Sequence, residues 1–307
     1  MKKSLFSFLI LLSTLCFSQE KKEITINPLL KGTLYSPLKE NKKTNLVILI
    51  AGSGPTDRDG NQKGMINNSL KYLSEDLAKN DIATFSYDKR IIAQMAAGTV
   101  DEKSLSLDDF IKDAKDILTF FKNQKKYNKI IIAGHSEGAL VGMVAANGNA
   151  DAYISLAGAG RTIDAVVVEQ IEKQAPFLKE EVEKDFEILK SGKTFELKNQ
   201  MLASIFRESV QPYMISWIKY DPQNEIKKLQ IPMLLINGTK DLQVKVLEAE
   251  LLKKTKPEAK LVVIEDMNHV FKEIKGDDTE NMKSYNDPNL FVSEKLVSTI
   301  NLFIKSL

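Results

Sequence analysis

One serine stands in a pattern that can perform nucleophilic chemistry. Ser136 is the central residue of GHSEG at 134–138, which fits G-x-S-x-G. An apolar run typical of a buried strand, 129–133, precedes it, and small residues with helical character follow. On such a turn the serine hydroxyl projects from the end of a sheet, and the flanking glycines remove side chains that would meet backbone. The pattern predicts Ser136 as a nucleophile.

A serine hydroxyl needs a neighbouring base, and the sequence offers only two histidines. His135 adjoins the serine, and on a turn of this kind its side chain points away from the hydroxyl. His269 lies in a loop just after the last predicted strand, 261–264. We therefore predict that His269 is the general base.

A carboxylate must orient the imidazole of that base. Asp241 follows the predicted strand 231–236 and gives the chain order Ser, Asp, His. Asp266, three residues before His269, is the main competitor, although aspartates in loops commonly form turns. We predict Asp241 as the acid.

Acyl transfer also needs two backbone N–H groups that stabilise the negative oxygen of the intermediate. One is predicted at Glu137, directly after the nucleophile. The other is predicted at Ser53, in the glycine-rich loop AGSGP at 51–55 that follows a buried strand. A glycine-rich turn without any ligand is the alternative interpretation of that loop.

The elements that must position these residues alternate between strand and helix. Two short strands, 22–27 and 32–37, are predicted to form an antiparallel hairpin. The further predicted strands are 45–51, 82–87, 129–133, 152–157, 231–236 and 261–264, and the clearest helices are 68–79, 106–122 and 289–305. The pattern predicts a mostly parallel central sheet flanked by helices. The core is assigned to 19–160 and 229–307, with a helical insertion at 161–228 that contains Trp217.

The N-terminus has the features of a secretory signal peptide. Lys2 and Lys3 precede an apolar run at 5–15 that is too short to span a bilayer, and small residues follow. We predict a signal peptide at 1–18, cleavage before Gln19, and a secreted or periplasmic protein. A buried N-terminal helix and lipidation at Cys16 are the alternatives, but a lipidation site normally has a small residue where Leu15 stands.

Composition limits the classes of partner. The chain has 307 residues, enough to bury a core without disulfides or metals, and Cys16 is its only cysteine. After signal cleavage 41 basic and 41 acidic residues remain, so we expect neither nucleic acid binding nor stable membrane insertion.

No cofactor is expected, since the sequence has no P-loop, dinucleotide fingerprint or zinc motif. DRDGN at 57–61 resembles fragments of calcium loops but lacks a complete ligand set, and 88–90 is interpreted as a strand-end loop.

Five segments together resemble a known group of proteins. They are AGSGPTDRDGN, SYDKR, AGHSEG, NGTKDLQV and NHVFK, at 51–61, 86–90, 133–138, 237–244 and 268–272. The combination looks like bacterial α/β-hydrolases of the serine aminopeptidase-like and carboxylesterase group, often exported, over nearly the whole mature chain. The resemblance implies the α/β-hydrolase fold, a cap at about 161–228, and the roles given above for the five site residues. Many relatives have histidine where this chain has Ala51, a residue outside the usual catalytic scheme.

These observations predict a serine hydrolase that cleaves small-molecule esters of short acyl groups through an acyl-enzyme. An exported serine aminopeptidase is the first alternative, because the insertion is rich in glutamate. At helical spacing such a run is more typical of a solvated face. A non-catalytic binding protein on the same fold is the second alternative. The sequence predicts neither the natural substrate nor the oligomeric state.

Overall fold

The structure is a computed structural model that describes residues 19–307. The predicted signal peptide at 1–18 lies outside the described residues, so it and the secreted or periplasmic location stay predictions. Within the described part of the chain, the helices are all too short or too polar to cross a bilayer.

Eight strands of residues 19–307 form a single twisted layer. They are β1 (Gln19–Asn27), β2 (Leu30–Pro37), β3 (Asn45–Ile50), β4 (Ile82–Tyr87), β5 (Ile130–His135), β6 (Ala152–Leu156), β7 (Met233–Gly238) and β8 (Lys260–Ile264). Their order across the sheet is β1-β2-β4-β3-β5-β6-β7-β8. β2 pairs antiparallel with β1 and β4, and the other neighbours are parallel. Both the mostly parallel sheet and the N-terminal hairpin are confirmed.

Between residues 19 and 307, twelve α-helices connect or flank these strands. They are α1 (Ser69–Lys79), α2 (Arg90–Ala97), α3 (Leu107–Gln124), α4 (Glu137–Ala146), α5 (Ile163–Gln174), α6 (Lys179–Lys190), α7 (Ala203–Phe206), α8 (Gln211–Ile218), α9 (Pro222–Lys228), α10 (Val246–Thr255), α11 (Asp278–Ser284) and α12 (Glu294–Lys305). The start of α3 shows how local sequence sets such a boundary. The Ser106 hydroxyl accepts from the Asp109 amide, and the Asp109 carboxylate accepts from the Ser106 amide, which satisfies two otherwise free donors.

Alternation along the central strands produces two cores, one on each face of the sheet. In β3, Leu46 and Ile48 face the core beneath α3 and α4, while Val47 and Leu49 face the core beneath α1 and α12. Successive side chains of a strand point to opposite faces, so a strand that is apolar throughout must be covered twice. This double burial holds the strand ends, and the loops that follow them, in fixed positions.

The chain between β6 and β7 is helical and has a small core of its own. Within it, α5 to α8 and two short 3-10 turns pack around Val182, Phe186, Phe206 and Met214. Trp217, on α8, packs against both this core and the one beneath α3. The segment is thereby attached to the sheet over the carboxyl ends of its strands.

Two local assignments differ from the sequence-based expectation. The predicted strand-end loop at 88–90 ends at Lys89, because Arg90 already begins α2. The final helix begins at Glu294 and not at 289. Residues 289–293 are held by long-range contacts, among them the Lys272 ammonium that donates to the Leu290 carbonyl.

Candidate active site

Four loops meet at one edge of the sheet. Ser53 follows β3, Ser136 follows β5, Asp241 follows β7, and His269 lies beyond β8. These four strands are parallel to one another, so their carboxyl ends lie at the same edge. This edge is where open α/β sheets place their ligands.

Ser136 occupies the strained turn that its sequence pattern predicts. Its φ and ψ are 54° and −120°, a conformation that residues other than glycine rarely adopt. A Cβ at Gly134 would lie 1.9 Å from the Gly138 carbonyl oxygen, and one at Gly138 would lie 2.5 Å from the Ile50 and Ala51 carbonyl oxygens. Neither glycine can therefore carry a side chain without moving backbone.

His269 and Asp241 form a buried pair. The Nδ1 atom of His269 lies 2.8 Å from Oδ2 of Asp241, and the two residues are 4% and 2% exposed. The other carboxylate oxygen, Oδ1, accepts from the amides of Gln243 and Val244, each at 2.8 Å. The carboxylate is thus fixed on both oxygens, and it can orient the ring and stabilise its charged form.

Asp266, the competing acid, is engaged elsewhere. Its carboxylate pairs with the Lys275 ammonium at 2.7 Å, and its backbone has a φ of 60°. It serves the turn after β8, as aspartates in loops commonly do.

Ser136 and His269 line the same cavity, of about 110 Å³, together with Ser53 and Tyr285. A larger neighbouring cavity of about 260 Å³ opens on the other side of Ser136. Its wall is largely apolar and is contributed mostly by the helical segment, including Ile163, Val166, Val167, Ile205, Met214 and Trp217. The serine therefore stands between a smaller, more polar space and a larger, mainly apolar one.

The two predicted amide donors, Ser53 and Glu137, both line the larger cavity beside Ser136. Neither backbone N–H donates to another group among residues 19–307. A free N–H at the edge of a cavity is available to a ligand oxygen. Glu137 is also the first residue of α4, whose helix dipole favours negative charge at this point.

The loop at 57–61 is ordered by its own side chains. Oδ1 of Asp57 accepts from the amides of Asp59 and Asn61, and the Arg58 guanidinium pairs with Asp88 at 2.6 Å and with Glu23 at 2.5 Å. Among the residues that the structure describes, no three or more histidine, cysteine, aspartate or glutamate side chains are arranged to hold a metal. Gly60, in this loop, and Gln62, just after it, line the smaller cavity, so the loop borders the site.

Two residues at the site were assigned no role from the sequence. Nε2 of His135 lies 2.9 Å from the His269 carbonyl oxygen, and the two rings are 4.7 Å apart. Asn268 is fully buried, and its side-chain oxygen accepts from the amides of Val270 and Lys272. Both contacts fix the loop that carries His269. The only signal in the sequence was position: His135 directly precedes the predicted nucleophile, and Asn268 directly precedes the predicted base.

The stability of the protein should depend on the charge of His135. Burial, and then the neighbouring His269, hold the pKa of His135 well below its usual range. The unfolded chain protonates this ring near pH 6.5, while the folded protein does so only at lower pH. The unfolded state therefore binds more protons below pH 6.5, and the free energy of unfolding falls there by up to about 1.4 kcal/mol per pH unit.

A His135→Gln variant tests this dependence, because its amide can still donate to the His269 carbonyl oxygen. The free energy of unfolding, measured with urea between about pH 5 and pH 7, should fall more steeply with decreasing pH in the wild-type protein than in the variant. Equal slopes in the two proteins would mean that His135 titrates normally.

Comparison with known proteins places this geometry in context. Esterase EstD of Thermotoga maritima is 29% identical over 259 residues, which are 82% of this chain and 60% of EstD. The chain thus spans about 60% of the length of this curated relative. Est1E from Butyrivibrio proteoclasticus superposes with a TM-score of 0.59 at 18% identity, covering 93% of this chain and 99% of Est1E. The Pyrococcus furiosus esterase Pf2001 gives 0.54 at 18% identity, covering 94% and 91%.

These structural likenesses confirm the α/β-hydrolase fold expected from the sequence. The BD-FAE family model matches residues 33–255, which are well over half of the chain. The chain therefore belongs to the BD-FAE family.

Proposed function

We propose that this protein is a serine hydrolase that cleaves carboxylic esters of short acyl groups. The observation that carries the proposal is the shared cavity of Ser136 and His269, whose ring is paired with Asp241 at 2.8 Å. The likeness to Esterase EstD supports the same class of reaction.

The proposed reaction proceeds in two halves. The Ser136 hydroxyl attacks the ester carbonyl carbon, and His269 takes its proton. The carbonyl oxygen becomes negative and accepts hydrogen bonds from the amides of Ser53 and Glu137. The intermediate then expels the alcohol, which takes the proton from His269. Water attacks the acyl-serine, gives its proton to His269, and the carboxylic acid leaves as that proton returns to Ser136.

The two cavities suggest how an ester would lie. The departing alcohol must reach His269, which lines the smaller cavity of about 110 Å³. The acyl group would then extend into the apolar cavity of about 260 Å³ beneath the helical segment. This volume suits a short acyl chain, and it gives residues 161–228 the role of a cap.

The aminopeptidase alternative needs free carboxylates that could hold a substrate amine. Several glutamates of the helical segment have partners of their own, since Glu169 pairs with Arg161, Glu172 with Lys179 and Glu180 with Lys184. In the wall of the apolar cavity the acidic residue is Glu137, and the Lys89 ammonium neutralises it at 2.7 Å. Ester hydrolysis is therefore the better supported reaction.

A direct comparison of substrates tests the proposal. Purified protein from Gln19 onward should hydrolyse p-nitrophenyl acetate and butyrate, with activity falling for long acyl chains that exceed the apolar cavity. Amino-acid p-nitroanilides should not turn over at a comparable rate. Hydrolysis of the anilides alone would replace the esterase proposal with the aminopeptidase, and hydrolysis of neither substrate class would contradict both.

A further inference from the structure

A buried lysine joins two segments of the site and has no role in the chemistry described so far. Lys89 precedes α2 and is 4% exposed. Its ammonium donates to Oε1 of Glu137 at 2.7 Å and to the Gly52 carbonyl oxygen at 3.0 Å. It also lies 4.3 Å from the centre of the Phe110 ring. The charge therefore has three specific neighbours: a carboxylate, a carbonyl oxygen and an aromatic ring.

Stability alone is a weak reason for such a pair. Removing two charges from water costs about as much as their attraction returns, and apolar residues often replace a buried ion pair without loss. The position of this pair is more informative. Gly52 and Glu137 belong to the two segments whose residues Ser53 and Glu137 line the cavity beside Ser136.

The contact with Gly52 bears directly on the amide of Ser53. The carbonyl of Gly52 and the N–H of Ser53 are the two ends of one planar peptide group, and the described residues contain no cis peptide bond. In a trans peptide the two ends point in opposite directions. An ammonium that holds the oxygen therefore fixes the direction of the N–H, and it also polarises the group so that the N–H donates more strongly.

The neighbouring peptide group is held as well. The Ser53 carbonyl oxygen accepts from the Thr56 hydroxyl and from the Gln62 side-chain amide, both at 2.8 Å. The loop also lies close to the nucleophile, since a Cβ at Gly52 would be 3.3 Å from the Ser136 Cβ. With Lys89 on one side and these two side chains on the other, the Ser53 N–H has little freedom to turn away.

We infer that Lys89 is a positioning residue for the oxyanion hole, acting through the Gly52–Ser53 peptide group and through the Glu137 side chain. The inference rests on the proposed function, because it concerns the same ester substrate. Removing one donor of an oxyanion hole costs about 10²- to 10³-fold in kcat. Loss of a group that orients and polarises one donor should cost less, about 10- to 100-fold.

Two variants separate this role from a purely structural one. Lys89→Met leaves the Glu137 carboxylate buried without its cationic partner, which destabilises the fold. The double variant Lys89→Met/Glu137→Gln removes both charges and still deprives the Gly52 carbonyl of its donor. The matched control is Arg90→Met/Asp113→Asn, which removes a neighbouring, partly buried ion pair of 2.7 Å that has no contact with the Gly52–Ser53 peptide group. Circular dichroism and thermal unfolding establish that each variant is folded.

The decisive readout is the preference for an ester over its thionoester, in which sulfur replaces the carbonyl oxygen. Sulfur is a weak acceptor, so an oxyanion hole favours the oxygen substrate. The Lys89→Met/Glu137→Gln variant should lose about 10- to 100-fold in kcat on the ester with little change in KM, and its preference for the ester should shrink by a similar factor. The control should retain the wild-type preference.

Each outcome has one meaning. The inference is supported if the preference for the ester over the thionoester shrinks in the Lys89→Met/Glu137→Gln variant and not in the control. An unchanged preference, with both substrates slowed equally, overturns it while the esterase function stands. A wild-type protein that hydrolyses no ester refutes the proposed function, and this inference with it.

Discussion

The Ser136→Ala variant is expected to lose about 10⁴- to 10⁶-fold in kcat for ester hydrolysis. Without the hydroxyl no acyl-enzyme can form, and the remaining groups can only bind the substrate and polarise its carbonyl. KM should change little, because the hydroxyl acts in the reaction, while most of the wall of each cavity comes from other residues.

The fold should tolerate this change. The Ser136 hydroxyl makes no hydrogen bond with the rest of residues 19–307, and it does not cap α4. Alanine on the same strained turn keeps the backbone conformation, with its φ of 54°. The midpoint of thermal unfolding should therefore stay close to that of the wild-type protein.

A fluorophosphonate probe gives a second readout of the same serine. The serine oxygen displaces fluoride from phosphorus and forms a stable adduct, which mass spectrometry can locate on the peptide that contains 134–138. Wild-type protein should be labelled there, and Ser136→Ala should not. Ser204 lines the same apolar cavity and serves as the matched control, since Ser204→Ala should retain both labelling and activity. Persistent labelling or near wild-type activity in Ser136→Ala would contradict the assignment.

The sequence predicted the structure best where the local conformation depends on residues that are close together in the chain. The alternating faces of β3, the capping residues of α3 and the glycines around Ser136 are each visible within a few residues. The structure has a strand, a helix start and a sharp turn at these places, close to the predicted bounds. Local geometry depends on near neighbours there, so the residue types suffice.

Other features depend on partners that are distant in the chain. Lys89 lies 48 residues from Glu137 and 37 from Gly52, so no spacing rule could pair them. The apolar residues at 290–292 resemble the start of a helix, but the Lys272 ammonium and the Tyr72 hydroxyl hold the carbonyls of Leu290 and Pro288. Such contacts form only when the sheet has assembled and has brought the loops at its edge together, so a local sequence pattern cannot predict them.

The helix α2 was missed for a related reason. It is only eight residues long, none of its residues is buried, and no side chain caps its start at Lys89. The periodicity of an apolar face is the main sequence signal for a helix, and eight residues are barely two turns in which to recognise it. Its position follows from the contacts of Lys89 and Arg90 with neighbouring segments.

The Asp241→Asn variant is expected to lose about 10³- to 10⁴-fold in kcat while its shape is preserved. A neutral amide cannot stabilise the positive imidazole that forms when His269 takes the serine proton. It can also donate to Nδ1 of His269, which favours the tautomer with a proton on Nε2 and blocks that nitrogen as a base. The other side-chain oxygen can still accept from the amides of Gln243 and Val244, so the loop should keep its conformation.

Asp266→Asn is the matched control for this change. Asp266 lies only three residues before His269 in sequence, but its carboxylate is 24% exposed and pairs with Lys275. An exposed pair of this kind contributes little, so activity should stay within about threefold of the wild-type value. Steady-state kinetics on p-nitrophenyl butyrate compares the two variants directly. If Asp266→Asn lost activity while Asp241→Asn kept it, the acid would have to be reassigned to Asp266, and the buried pair of Asp241 and His269 would have only a structural role.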